Sequence, residues 1–319
     1  MKLLVTGGAG FIGSNFVRSV IDNPKYEKVT VLDSLTYAGN LENINSISNS
    51  QKFVFIKGDI CDLGIVTEAT KDIDVVLNFA AESHVDRSIS NPYQFLNTNV
   101  LGTQTLLDAA LKNKVTKFIQ ISTDEVYGSI DEGSWTEDWP LSPNSPYSAS
   151  KASADLLVLS YYKTFGLDVS ITRCSNNYGP YQFPEKVIPL FVTNLLQNKK
   201  IPIYGTGNNI RDWIYVEDHC SGIEKAIDLG KPGQIYNFGG GNEITNFELA
   251  EIILGYFQFD LHKIEYVQDR KGHDYRYSVS FKKSSTELNW KPIKNFKDGL
   301  FETIEWYKNN SNWWENLKK

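Results

Sequence analysis

Tyr147 and Lys151 stand four residues apart in the segment Tyr-Ser-Ala-Ser-Lys. On a helix that spacing puts both side chains on one face. An ammonium beside a phenol stabilises the phenolate and lowers the tyrosine pKa. A phenol tuned in this way can take the proton of an alcohol near neutral pH. Pro146 precedes the tyrosine, a residue suited to a helix start. The same spacing is common at ordinary solvated helix starts, so its weight depends on its surroundings. A second reactive group is Ser122-Thr123-Asp124-Glu125-Val126-Tyr127-Gly128, which follows the apolar stretch 117–121. In an unrelated loop two adjacent carboxylates are solvated charges. In a closed cleft their repulsion raises one pKa, so one group stays protonated as an acid while its neighbour serves as a base. A strand sends neighbours to opposite faces, so both reach one cleft only if the chain turns there.

The elements that would position these groups begin at residue 2. An apolar strand, 2–6, runs into Gly7, Gly10 and Gly13, and an amphipathic run carrying Phe11, Ile12, Phe16, Val17, Val20 and Ile21 follows. Glycines at such a turn let backbone N–H groups approach a pyrophosphate at the positive end of the helix. A ligand-free strand–helix turn can carry the same glycines. The order strand, glycines, helix is the context of a dinucleotide site. The second strand, 28–32, ends in Asp33, where a carboxylate can accept hydrogen bonds from the adenosine ribose and would repel a 2′-phosphate, which favours NAD over NADP.

Further strands are expected at 53–57, 75–79, 117–122 and 169–173, with helices near 63–70, 94–112 and 147–164 between them. This alternation implies an α/β fold, a doubly wound parallel Rossmann sheet with helices on both faces. From about Ser175 Pro, Gly and Asn become frequent. The expected division is an NAD-binding Rossmann domain over 1–174, to which a segment near 213–240 can return, and a smaller C-terminal substrate-binding domain over 175–319. Helices 94–112 and 147–164 are apolar nearly all round. One side can cover the sheet, and the other needs a second domain or another subunit.

The net charge of −6, with no block of Lys or Arg, gives no electrostatic footprint for nucleic acid. No apolar run reaches membrane-span length, and the N-terminus reads as a core strand rather than a signal peptide. Cys61, Cys174 and Cys220 are scattered and odd in number, as expected of reduced thiols in a cytoplasmic protein. The four histidines show no metal-ligand spacing, so no metal is expected. Cys174 reads as a small buried residue, and His219 as serving a helix start.

The motifs together extend over nearly the whole chain: TGGAGFIG (6–13), DSLTYAGN (33–40), GDI (58–60), AAESHVDRS (80–88), STDEVYG (122–128), YSASK (147–151), RCSNNYGP (173–180), PEKVIPL (184–190), YGTGNNIRDWIYVEDH (204–219) and DRKGHD (269–274). On these the chain resembles the extended short-chain dehydrogenase/reductase family, and within it the enzymes that dehydrate nucleotide sugars. The combination of LTYAGN, ESHVDRS and TDEVYG is more specific than any single motif. The resemblance implies NAD as cofactor, dTDP-glucose as substrate and a homodimer built on helices 94–112 and 147–164. It implies oxidation at C4, loss of water across C5 and C6, and return of hydride to C6, as in deoxysugar and rhamnose precursor synthesis. Thr123, Asp124, Glu125, Tyr147 and Lys151 would carry the chemistry. Gly7, Gly10, Phe11, Ile12, Gly13, Asp33, Asp59, Ile60, Ala80, Ala81, Ser83, Asn99, Tyr147 and Lys151 would hold the cofactor. Ser83, His84, Thr123, Asn176, Lys186, Val187, Arg211, Asn246, Arg270 and His273 would hold the sugar nucleotide. Two positions depart from the family pattern, Lys271 where proline is usual and Tyr275 where arginine is usual. The rival readings are a nucleotide-sugar 4-epimerase, a 4,6-dehydratase for another nucleotide sugar, and a non-enzymatic NAD-binding subunit.

Overall fold

The computed structural model describes residues 1–269 and 272–318. Arg270 and Lys271 lie outside the described residues. Six stretches rich in apolar residues form β1 (Lys2–Thr6), β2 (Lys28–Asp33), β3 (Phe53–Lys57), β4 (Val75–Asn78), β5 (Lys117–Thr123) and β6 (Val169–Cys174). Beyond them come β7 (Asn176–Tyr178), β8 (Ile201–Tyr204), β9 (Ile210–Tyr215), β10 (Gln234–Phe238), β11 (Glu243–Thr245) and β12 (Ile264–Val267). The main sheet has seven strands in the order β10-β6-β5-β4-β1-β2-β3, every neighbouring pair parallel. Its inner strands are buried on both faces, which is why they read as apolar runs rather than as alternating patterns. β1 lies between β2 and β4, the switch point at which the sheet opens a crevice beyond its carboxyl ends. Outside this sheet β9 pairs with β7 and β11, and β8 with β12.

The helices are α1 (Phe11–Val20), α2 (Leu63–Ala69), α3 (Val85–Ser90), α4 (Pro92–Phe95), α5 (Thr103–Lys112), α6 (Pro146–Phe165), α7 (Val187–Leu196), α8 (Val216–Leu229), α9 (Asn246–Phe257), α10 (Lys282–Leu288), α11 (Phe296–Asn309) and α12 (Ser311–Glu315). On one face of the sheet Phe16, Val17 and Val20 of α1 share a core with Ile223 and Ile227 of α8. On the other, Leu106, Leu107 and Ala110 of α5 pack with Val158 and Tyr161 of α6. Phe191 and Leu195 of α7, Leu249 and Ile253 of α9 and Leu300 and Ile304 of α11 build the core of the C-terminal lobe. The start of α6 is sharply defined. Ser145 and Ser148 form a reciprocal cap around Pro146, and Gly166 closes the helix in the left-handed region.

Two expectations need correction. The segment 94–112 is not one regular helix. Between α4 and α5 the turns widen into a π-helical stretch, Leu96–Gly102. Its sequence keeps the apolar spacing of an α-helix, so only tertiary contacts reveal the wider turns, which present Asn99 to the backbone of Glu82. Nor does every apolar residue of these two nearly all-apolar helices await a partner, since Leu107 is fully buried inside the protomer. The exposed large apolar residues of these helices are Tyr93, Leu96, Leu101, Leu156, Tyr162 and Phe165. Among the described residues no helix is long and apolar enough to cross a membrane.

Candidate active site

A cavity of about 450 Å³ opens where β1, β2, β4, β5 and β6 end. Its floor is the glycine turn. Gly7 takes φ +66°, and a Cβ there would meet the Ala80 nitrogen at 2.6 Å. A Cβ on Gly13 would meet the Gly7 carbonyl oxygen at 2.4 Å, so α1 can approach the strand only with glycine at this position. Gly10 caps α1 without a side-chain hydrogen bond, which leaves the first-turn N–H groups to whatever anion enters. Asp33 ends β2 and is buried. Its Oδ2 accepts the Ala9 N–H at 2.9 Å and its Oδ1 the Leu35 N–H at 2.8 Å. Burial pushes its pKa up and the two N–H groups pull it down. Each carboxylate oxygen keeps a free lone pair for a ribose hydroxyl. Phe11, Ile12, Asp59, Ile60, Ala80, Ala81 and Ser83 line the same cavity. A glycine cradle without room for a Cβ, a helix start left uncapped and a carboxylate at the end of β2 together fit NAD.

Asn99 is buried and stands behind the cavity wall rather than on it. Its Oδ1 accepts the Glu82 N–H at 2.9 Å, and its Nδ2 donates to the Glu82 carbonyl at 3.0 Å and to Ser150 Oγ at 2.8 Å. Ser150 in turn donates to the Tyr147 carbonyl at 2.6 Å. Asn99 therefore ties the channel wall to the helix that carries the reactive tyrosine.

β5 delivers Thr123, and there the chain leaves the sheet in a 3₁₀ turn, Asp124–Tyr127. Thr123 Oγ1 accepts the Glu125 N–H at 3.2 Å and donates to Asp124 Oδ1 at 3.2 Å. The turn puts both carboxylates on the cavity wall. Asp124 is buried, and its Oδ2 has no partner. Burial first, then the charges of Glu125 and Asp212, hold its pKa well above the ordinary carboxylate value, which favours the protonated form.

Tyr147 and Lys151 both line the cavity from α6. The Lys151 ammonium donates to the Ile121 carbonyl at 2.7 Å, and burial lowers its pKa. The tyrosine is not lowered as expected. Burial, then Glu125 and the Cys174 thiol, hold the phenol well above its ordinary value, and the Thr123 hydroxyl offsets part of this. Desolvation dominates, and a cationic nicotinamide beside the phenol would act in the opposite direction. Cys174 is buried with its pKa pushed up, an inert thiol. His219 lies in α8, fully buried, with Nδ1 2.9 Å from Asn177 Oδ1, and burial pushes its pKa down to about 3.

Of the residues expected to hold a sugar nucleotide, Ser83, Thr123, Asn176 and Lys186 line the cavity. The Asn176 Oδ1 is buried without a partner. Lys186 caps the start of α7, whose first residue is Val187, and its Nζ donates to the Ser83 carbonyl at 2.9 Å. His84, Val187, Arg211, Asn246 and His273 are not part of this lining. Arg211 Nη2 donates to the Asp274 carbonyl at 2.9 Å, and its guanidinium lies 4.3 Å from the Tyr277 ring centroid. Asn246 opens α9, His84 caps α3, and His273 Nδ1 is 2.7 Å from Asp269 Oδ1. The site analysis of the sequence missed Tyr37, Phe183 and Glu185, all on the cavity wall. Tyr37 sits inside the LTYAGN motif and Glu185 inside PEKVIPL, whereas Phe183 lies outside the motifs and carries no periodic signal. Among the described residues no group of three or more His, Cys, Asp or Glu could hold a metal ion.

The switch-point cavity, the glycine turn and a Tyr-x-x-x-Lys helix beside it define an extended short-chain dehydrogenase/reductase, here with two carboxylates added. The family model described as GDP-mannose 4,6 dehydratase matches residues 4–303, and the chain belongs to that family. It is 52% identical to the dTDP-glucose 4,6-dehydratase of Streptomyces antibioticus over 100% of this chain and 96% of that one. The solved dTDP-glucose 4,6-dehydratase of Streptomyces venezuelae, with NAD bound, superposes with a TM-score of 0.98 at 53% identity, covering 99% of this chain and 100% of that one. The UDP-glucuronic acid 4-epimerase of Bacillus cereus, solved with UDP-glucuronic acid and NAD, superposes at 0.92 with 30% identity, covering 97% and 99%.

Proposed function

We propose that the chain is a hydro-lyase that converts dTDP-glucose into dTDP-4-keto-6-deoxyglucose and water, with NAD as a resident cofactor. NAD supplies the hydride acceptor for C4 and the hydride donor for C6. Tyr147 takes the proton of the C4 hydroxyl, Thr123 hydrogen-bonds the same oxygen, and Lys151 holds the nicotinamide ribose. Once C4 is a ketone the C5 hydrogen is acidic. Glu125 removes it, and Asp124 protonates the C6 hydroxyl as water leaves. C5 is reprotonated when C6 is reduced. Asn176, Lys186 and the N-terminus of α7 are assigned to the substrate diphosphate, a role suited to fixed cations and open N–H groups.

The observation that carries this reading is the sharing of one cavity by the Asp124–Glu125 turn and Tyr147. An epimerase of this family would use the tyrosine and lysine and would have no need of the carboxylate pair. Fold cannot separate the two, because an epimerase superposes nearly as well as a dehydratase. The test is an assay of the purified protein with dTDP-, UDP-, GDP- and CDP-glucose. Fastest formation of the 4-keto-6-deoxy product from dTDP-glucose is expected. Preference for another nucleotide would replace the substrate, an epimerised product with its C6 hydroxyl intact would overturn the reaction, and no turnover with any of them would favour a binding subunit.

The remaining assignments follow from the same architecture. We infer that the sheet lobe, residues 1–174 with 213–240, holds the cofactor and that the rest holds the sugar nucleotide. We infer a homodimer through the exposed stripe of Tyr93, Leu96, Leu101 and Leu156, since large apolar side chains clustered on two adjacent helices favour a partner surface. Three free cysteines, two of them buried, agree with a cytoplasmic setting.

A further inference from the structure

Three segments that are distant in sequence meet over the cofactor channel. Tyr37 comes from the loop after β2, Ser83 and Arg87 from the loop and helix after β4, and Phe183, Glu185 and Lys186 from the C-terminal lobe just before α7. The Arg87 guanidinium lies over the Tyr37 ring, 3.9 Å from its centroid, and donates to Glu185 Oε2 at 3.0 Å. Tyr37 meets the edge of Phe183 at 5.6 Å, and its hydroxyl is 3.4 Å from Ser83 Oγ. Lys186 donates to the Ser83 carbonyl, a second tie between the lobes. Tyr37, Ser83, Phe183, Glu185 and Lys186 all line the cavity, so this assembly forms part of its wall. His84 Nε2 stands 3.6 Å from the same Glu185 oxygen, while Glu185 Oε1 is buried without a partner.

We propose that the Arg87–Glu185 pair, stacked on Tyr37, is a latch that retains NAD between turnovers, with Glu185 as its positioning residue on the C-terminal side of the cleft. The proposal rests on the reading of NAD as a resident cofactor. A cofactor that is reduced and reoxidised in each cycle gains nothing from leaving, whereas the sugar nucleotide must exchange every time. Because the pair joins the helix after β4 to the segment before α7, it closes the channel wall from both sides of the cleft. The pair is suited to this because it is partly hydrated. Arg87 is 46% and Glu185 19% exposed, so the arginine can swing into water when the pair opens.

The experiment measures NAD release from the purified protein on dilution into a nucleotide trap, for wild type, Glu185→Gln, Arg87→Met and the double variant. The single variants are expected to lose NAD roughly 3- to 30-fold faster, the worth of a partly exposed ion pair stacked on an aromatic ring. The double variant should be no faster than the faster single, because both changes remove one interaction. Turnover of the variants should become dependent on added NAD and recover with it. A general loosening of the fold would also lower the thermal midpoint in saturating NAD, which loss of a latch leaves in place. Raised salt should speed release from wild type and leave Glu185→Gln unmoved. Release from Glu185→Gln at the wild-type rate, or single effects that multiply in the double variant, would refute the latch while the cofactor reading stands. Wild-type protein that yields no NAD on denaturation would overturn both.

Discussion

Replacing Glu125 by glutamine should split the reaction in two. The substitution keeps the length of the side chain, and the 3₁₀ turn survives because Thr123 Oγ1 accepts the backbone N–H of residue 125 rather than its side chain. What is lost is the base for the C5 proton. A positioned base is worth about 10²- to 10⁴-fold, or roughly 3–5 kcal/mol of barrier, and the elimination should slow by that factor. Oxidation at C4 needs no carboxylate and should persist. The structure adds a second effect. Glu125 is the largest charge that raises the Tyr147 phenol, and it also raises Asp124. Neutral glutamine relieves both. The phenol works as a base in its ionised form, so a lower pKa gives more of the active form at any given pH, and the pH profile of oxidation should move to lower pH.

Rapid mixing with dTDP-glucose should therefore show the absorbance of reduced nicotinamide rising and persisting in Glu125→Gln, where in wild type it passes quickly. In D₂O the wild-type product should carry deuterium at C5, and the hydrogen first on C4 should appear on C6. Formation of the keto-deoxy product by the variant within about tenfold of the wild-type rate would remove Glu125 as the base. Failure to form any reduced nicotinamide would place Glu125 in the oxidation step instead, and the division of labour between Tyr147 and Glu125 would fall.

Three further outcomes are expected. Tyr147→Phe should slow the first hydride transfer by about 10²- to 10⁴-fold at unchanged NAD content, measured by single-turnover absorbance. Gly7→Ala should yield protein that is poorly folded or free of NAD, because φ +66° strains the backbone and the new Cβ meets the Ala80 nitrogen at 2.6 Å; nucleotide content and the thermal midpoint report it. Leu101→Asp with Leu156→Asp should shift the protein to monomer in sedimentation, whereas a change at the buried Leu107 should cost folding, on the order of 2–5 kcal/mol for Leu107→Ala.

Much of this was legible because it is local. The turn from β1 into α1 and the Asp33 at the end of β2 follow from short-range pattern, and so does the start of α6 at Pro146. What escaped depends on contacts between distant residues. A return of the segment near 213–240 is expected from the sequence, but its place as β10 beside β6 rests on a pairing that no local window contains. The π stretch at 96–102 has an ordinary helical pattern, and only the buried grip of Asn99 on Glu82 distinguishes it. The direction of the Tyr147 shift depends on how fully the site is desolvated, which spacing along a helix does not encode. Glu185 and Phe183 reach the cofactor channel from a loop without periodicity.

Thr123 links the two halves of the chemistry. Its hydroxyl has one proton and two lone pairs. One lone pair holds the turn by accepting the Glu125 N–H, and the proton is aimed at Asp124 Oδ1. The same hydroxyl lowers the pKa of both Asp124 and Tyr147, yet its single proton can serve only one of them at a time. In the resting site Asp124 is held neutral by burial and needs that proton least. When Tyr147 works as a base, the anionic oxygen beside it is the better acceptor, and the Thr123 proton turns toward it. Asp124 then loses the bond that favoured its ionised form, and its own proton is held more firmly for the C6 hydroxyl. On the proposed roles, the end of β5 carries the hydroxyl, the acid and the base in three consecutive residues, and the strand breaking into a tight turn is what brings all three to one cavity.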